Sequence, residues 1–162
     1  MGWQQRMEDH SLINHEGKNQ LEIVIFTLNE PRYALPLCAV ERVVHAVEIT
    51  LLPKTPECVL GVINYQGQII PVVDIHQRLH LPHHDLDLND QFILAHTSRR
   101  LVALVADSVV GIQTVEDQRL VISEHVLPGM KYIRGLAKLA DNLVLICDLD
   151  QFLSLDADMY LQ

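Results

Sequence analysis

Gly61–Ile75, GVINYQGQIIPVVDI, decides how this chain is read. Gly61 and Gly67 punctuate it, an apolar run from Ile69 to Val73 follows, and Asp74 then stands where the run alone would continue a core. Asn64-Tyr65-Gln66-Gly67 has the composition of a tight turn, with Gly67 free to take positive φ. Gln68–Val73 then reads as a strand, and Pro71 inside it removes a ladder donor, which places that strand at an edge or beside a bulge. No GxxxxGK[ST] and no GxGxxG surrounds these glycines, so turn geometry and not a phosphate cradle explains them.

The meaning of Asp74 follows from a second copy of the stretch. Setting residues 61–81 on residues 135–155 places Gly61 on Gly135, Asp74 on Asp148, Gln77 on Gln151, Leu79 on Leu153 and Leu81 on Leu155. Upstream, Leu52-Pro53 has an echo in Leu127-Pro128, and Val43-Val44 in Val109-Val110, at different spacings. Such self-similarity implies two copies of one unit, each a turn, a strand and a carboxylate-capped helical turn. Asp74-Ile75-His76-Gln77 and Asp148-Leu149-Asp150-Gln151 both set an acceptor three residues ahead of a Gln, a variant of the capping box. Asp74 and Asp148 are therefore expected as structural caps. The rival reading, a catalytic carboxylate pair, needs two groups converging on one pocket, and carboxylates related by duplication belong to separate copies.

Composition bounds the function. The chain has 162 residues, 49% apolar and 20% charged, the balance of one globular domain or two small ones. Its 12 Lys and Arg against 21 Asp and Glu, a net charge of −9, supply no basic footprint for nucleic acid or an anionic membrane. No apolar run approaches the ~20 residues of a membrane span. Cys38, Cys58 and Cys147 are far apart, without CxxC spacing, and read as buried reduced thiols of a cytosolic protein. Residues 1–20 are polar, carry no signal-peptide core and read as a flexible tail, as do residues 157–162.

Period-2 segments bounded by turn residues dominate the rest. Leu21–Leu28, the turn Asn29–Arg32 and Tyr33–Leu35 form a hairpin pattern. Further strands are expected over 40–49, 91–95, 101–106, 109–115 and 142–147. A short helix is expected from Thr55, with Pro56 at its first position, Glu57 in the positive first turn and Gly61 as its stop. The acidic, aperiodic LPHHDLDLND, residues 81–90, reads as a connector between halves of about 21–82 and 91–156.

His76, His80, His83 and His84 fall within nine positions. On a helix His76 and His80 would share a face, so a Zn or Ni site completed by His83 or Asp85 is a weak alternative to a solvated helix end. There is no HExxH, no GxSxG, and no motif around Ser98, Ser108 or Ser123. Nothing assembles a nucleophile or calls for a cofactor.

Taken together, YALPLCAV, LLPKTP, GVINYQGQIIPVVDI, the acidic gap and YIRGLAKLADNLVLICDLDQFLS resemble the CheW-like domain, found in the coupling protein of bacterial chemotaxis and in its histidine kinase. The resemblance spans roughly residues 20–156. It implies an all-β fold with a few short helices, two intertwined five-stranded SH3-like barrels, internally duplicated. It implies a cytoplasmic adaptor rather than an enzyme, whose partners are a histidine kinase regulatory domain and a chemoreceptor cytoplasmic tip, with self-association into rings and no nucleic acid or membrane insertion. By motif position Val40, Arg42, Val44, Asn64, Gln66 and Gly67 would contact partners. The family pattern places Glu and Arg where this chain has Arg42 and Gln66, so that ionic pair cannot form here. Arg42 then needs another acceptor, and Glu41 points to the opposite strand face. A scaffold of a divergent kinase pathway, such as one for pilus motility, and a His-rich metal-binding module are the alternatives.

Overall fold

The computed structural model describes residues 12–15, 18–55, 58–82, 85–122 and 132–153. Their strands are β1 (Leu12–His15), β2 (Lys18–Thr27), β3 (Arg32–Pro36), β4 (Val40–His45), β5 (Thr50–Leu51), β6 (Val59–Tyr65) and β7 (Gln68–Val73). After the connector come β8 (Gln91–His96), β9 (Leu101–Ala106), β10 (Ser108–Glu116), β11 (Leu120–Ile122), β12 (Ile133–Lys138) and β13 (Leu143–Cys147). One short helix, α1 (Leu149–Leu153), follows, so the chain is all-β in class and of the SH3-like barrel type.

The strands form two sheets. One has the order β1-β2-β3-β13-β12-β11 with β10 also on β2, the other the order β4-β8-β9-β7-β6-β5. The described residues correspondingly divide into two compact units, one built from those up to Ala39 with those of Val109–Asp148, the other from those of Val40–Ser108 with α1. Each sheet thus draws strands from both 21–82 and 91–156. The sheets carry seven and six strands rather than five, because β1 and the short β5 and β11 extend their edges.

The duplication is visible in the ladders. On β6 and β7, Val59 faces Val73, the register slips, and Gly61 faces Val72, Val62 Pro71 and Ile63 Ile70. On β12 and β13, Ile133 faces Cys147, the register slips, and Gly135 faces Ile146, Leu136 Leu145 and Ala137 Val144. Adding 74 to every residue of the first hairpin gives the second, irregularity included. The strand that enters parallel is repeated too: Val72 lies beside Ala103 on β9, and Ile146 beside Ala34 on β3.

Each sheet folds around its own core, Leu21, Ile23, Ile25, Ala34, Val144 and Ile146 in one unit, Ile63, Ile70, Val72, Phe92, Leu94 and Ala103 in the other. β9 is buried at all six positions, which its unbroken LVALVA requires of a strand flanked by β8 and β7.

Several expectations are corrected. The helix expected from Thr55 to Gly61 is absent from the described part of that segment: Val59–Tyr65 is a strand, and Gly61 is there for a close approach of β5, not as a helix stop. A Cβ on Gly61 would overlap the Thr50 carbonyl oxygen and lie 2.9 Å from Ile49 Cγ2. β7 is interior rather than an edge, and Pro71 is tolerated because the pairing with β9 begins only at Val72 while the register slip lies on β6. β1 and the first residues of β2 lie within the segment expected as a tail, joined by the pairing of Leu12 with Leu21. Residues 1–11 and the C-terminal tail lie outside the described residues. Cys58 and Cys147 are buried, whereas Cys38 is exposed in the turn after β3.

Candidate functional site

The residues singled out by motif position all fall in the β4–β9 unit, on the edge strand β4 and the β6–β7 hairpin. Val40 and Val44 are half-buried, paired with Ala95 and Phe92 of β8, and anchor the strand. Between them the register slips from Val40 to Arg42, and Arg42 is exposed. The hairpin closes with Tyr65 facing Gln68, so Gln66 and Gly67 are its two central residues, at φ 51° and 84°. Positive φ at both is the turn that suits the twist of antiparallel strands. The Gly67 amide donates to Asn64 Oδ1 at 3.0 Å, which fixes the side chain beneath the turn.

Sequence reasoning left Arg42 without an acceptor, and the structure supplies Tyr65. Arg42 Nη1 donates to the Tyr65 hydroxyl at 3.0 Å, and the guanidinium carbon lies 5.8 Å from the ring centroid. That hydrogen bond, with the phenol's electrostatics, holds Arg42 more firmly charged. Glu41 turns the other way, toward His96 Nε2 at 3.4 Å. Arg42 thereby joins the β4 edge to the hairpin carrying Asn64, Gln66 and Gly67. Tyr65 was overlooked because it sits inside a turn motif, where its ring looks incidental.

Exposed apolar side chains border this patch in sequence. Ile69 is 62% exposed on β7, beside the hairpin, and its repeat counterpart Leu143 is 61% exposed on β13 of the other unit. The sequence concealed both, since each opens an apolar run that reads as core throughout.

The carboxylates lie in different units, Asp74 in the β4–β9 unit and Asp148 in the other. Their main chains do the same work: the Asp74 amide donates to Cys58 O at 2.7 Å and the Asp148 amide to Tyr132 O at 2.9 Å, again residues 74 apart. Their side chains differ. Asp74 Oδ1 accepts from the His76 amide at 3.0 Å and meets the His76 ring, while Asp148 Oδ2 lies 3.2 Å from Arg134 Nη2. Asp150, at the start of α1, accepts from the amide and hydroxyl of Ser98 at 2.8 and 2.9 Å.

The histidine face expected for a metal is not formed. Residues 76–80 make a turn rather than a helix; His76 is buried, and His80 is exposed at φ 59°. Asp74 holds the amide and ring of His76, and His80 takes a left-handed backbone. His83 lies outside the described residues, and among the described residues no three His, Cys, Asp or Glu side chains are grouped to hold a metal. No helix among them is long and apolar enough to cross a membrane.

The two duplicated β units present an ordered polar edge on β4 and the β6–β7 hairpin. Residues 22–157 match the CheW-like domain model, and the chain belongs to that family; like the CheW proteins it resembles, it is a scaffold and not an enzyme. It is 28% identical over 138 residues to the chemotaxis protein CheW of Thermotoga maritima, covering 85% of this chain and 91% of that one. The CheW of Klebsiella aerogenes is 27% identical over 135 residues, 82% of this chain and 81% of its own. Among solved structures, the scaffolding protein TtCheW of Thermoanaerobacter tengcongensis superposes with a TM-score of 0.77 at 28% identity, over 84% of this chain and 94% of that one.

Proposed function

We propose that this chain is a cytoplasmic, non-enzymatic adaptor of chemotaxis that couples methyl-accepting chemoreceptors to a histidine kinase, binding the receptor's cytoplasmic tip and the kinase's regulatory domain. The observation that carries the reading is the exposed Arg42–Tyr65 patch with Asn64, Gln66 and Gly67, set on a strand that is a sheet edge among the described residues, in a chain of this family. An edge strand presents unpaired backbone groups and invites a partner, and an ordered polar patch beside it selects which one. Two similar units give two similar surfaces, so head-to-tail association with a related domain closes into rings. Such assemblies would hold the protein at the inner face of the membrane without inserting it.

Arg42 and Gln66 favour a second reading within the same class, a scaffold of a divergent array such as one serving pilus motility. Arg42 is already engaged by Tyr65 within the chain, so a partner built for the family's ionic pair would meet a cation instead of an acid. Titrating the protein against the kinase regulatory domain of its own organism, beside an Arg42→Glu, Gln66→Arg double variant, tests both readings. Wild-type binding weakened by the double substitution supports a private interface. Binding only by the double variant points to a different kinase, and binding by neither overturns the kinase assignment.

A further inference from the structure

The two copies of the repeat neutralise the same carboxylate in different ways. In one unit Asp148 faces Arg134, with side chains 12% and 16% exposed. In the other, the residue 74 places before Arg134 is Leu60, which cannot supply a cation to Asp74. His76 faces it there: Nδ1 meets Asp74 Oδ1, and Nε2 lies 3.4 Å from Asp107 Oδ1. The His76 side chain is 3% exposed, that of Asp74 14% and that of Asp107 22%. A neutral imidazole carries one N–H and one acceptor, so it can donate to only one of two flanking carboxylates, whereas the imidazolium donates to both. Asp107 follows the last residue of β9 and Asp74 the last residue of β7, and those parallel strands register at only two pairs, Val72 with Ala103 and Val73 with Leu104.

We propose that His76 is a proton-operated latch of the β4–β9 unit, fastening the end of β7 to the end of β9 through Asp74 and Asp107 while its imidazole carries both protons. Asp107 is the last residue but one before the chain passes into the other unit, so the latch holds the exit of the strand that leads there. Burial opposes the charge on His76, and the hydrogen bond and charge of Asp74, then the charge of Asp107, outweigh it, so the imidazole is protonated more readily than usual. Arg78, partly buried in the same turn, keeps its charge at every relevant pH. A raised folded pKa gives stability that is fully present below the ordinary histidine value of about 6.5 and is lost as pH rises through the folded value. Asp148 faces an arginine where Asp74 faces an imidazole, so the latch belongs to one repeat and not to the other.

The test is a nuclear magnetic resonance titration of the full-length chain from about pH 5 to 9, with assigned histidine rings and with amide exchange expressed as protection factors. The His76 ring is expected to titrate above the ordinary value. Protection at Leu79 and Leu81, whose amides close the turn onto Ile75 and His76, should fall by about tenfold for each unit of that elevation. Protection of the Asp148 amide should stay level. Asp107→Asn should move the His76 titration back toward the ordinary value. A His76 ring that titrates at or below that value, turn protection indifferent to its titration, or an Asp107→Asn titration identical to wild type would overturn the latch.

Discussion

Alanine at position 61 should be far more damaging than alanine at position 67, although both glycines belong to one strand–turn–strand. The backbone of Gly61 lies against β5, and the added Cβ would overlap the carbonyl oxygen of Thr50 and crowd Ile49. A backbone oxygen cannot rotate away, so β5 must leave its pairing of Thr50 with Val62 and Leu51 with Gly61. Losing two ladder bonds at about 1 kcal/mol each, together with strain in what remains, puts the cost at roughly 2–4 kcal/mol. Gly67 has open space around its absent side chain and pays only for φ of 84°, about 1–2 kcal/mol with alanine and less with asparagine, which visits that region. Urea unfolding followed by circular dichroism, with the slope m checked for constancy, ranks the variants. The expected order of loss is Gly61→Ala, Gly67→Ala, Gly67→Asn. Equal midpoints for the two alanine variants would refute the close-approach account of Gly61.

Phe92→Ala should remove about 3–5 kcal/mol in the same assay, because the ring is wholly buried in the β4–β9 core. Burial, with a smaller contribution from Cys147, pushes the Tyr33 phenol up to about 12, so ultraviolet titration should show one tyrosine ionising late. Its folded value lies above its unfolded one, so that stabilisation is present below the unfolded value near pH 10 and fades as pH rises toward 12, roughly 3 kcal/mol in all. Tyr65→Phe keeps the ring beneath Arg42 and removes the acceptor, which should leave stability unchanged while lowering affinity for the kinase regulatory domain by roughly 2- to 10-fold in a calorimetric titration.

Some of this was legible in the residues. β7 and β9 appear at the bounds their apolar runs suggest, and β2 and β3 form the hairpin expected around Asn29–Arg32, because burial on one or both faces leaves a plain pattern. The first residues of β6 fall in the helix expected from Thr55, because Thr-Pro-Glu imitates a helix start and Gly61 a stop; only the approach of Thr50, a tertiary fact, explains that glycine. β12 escaped notice because Arg134, Gly135 and Lys138 break its alternation, and Arg134 is there to meet Asp148. The repeat was visible as aligned residues, but its shared register slip was not. Of the candidate site, the positions came from motif order; the Arg42–Tyr65 contact and the inward turn of His76 are pairings across space that spacing alone does not encode.

The central claim, that this chain couples a receptor to a kinase, is met most directly by measuring phosphorylation of the histidine kinase of the same organism with its chemoreceptor in membranes, with and without this protein. The account predicts that receptor control of kinase activity appears on adding the wild-type chain and weakens with Arg42→Glu. Kinase activity that ignores the folded protein, with the receptor present and responsive, would contradict it.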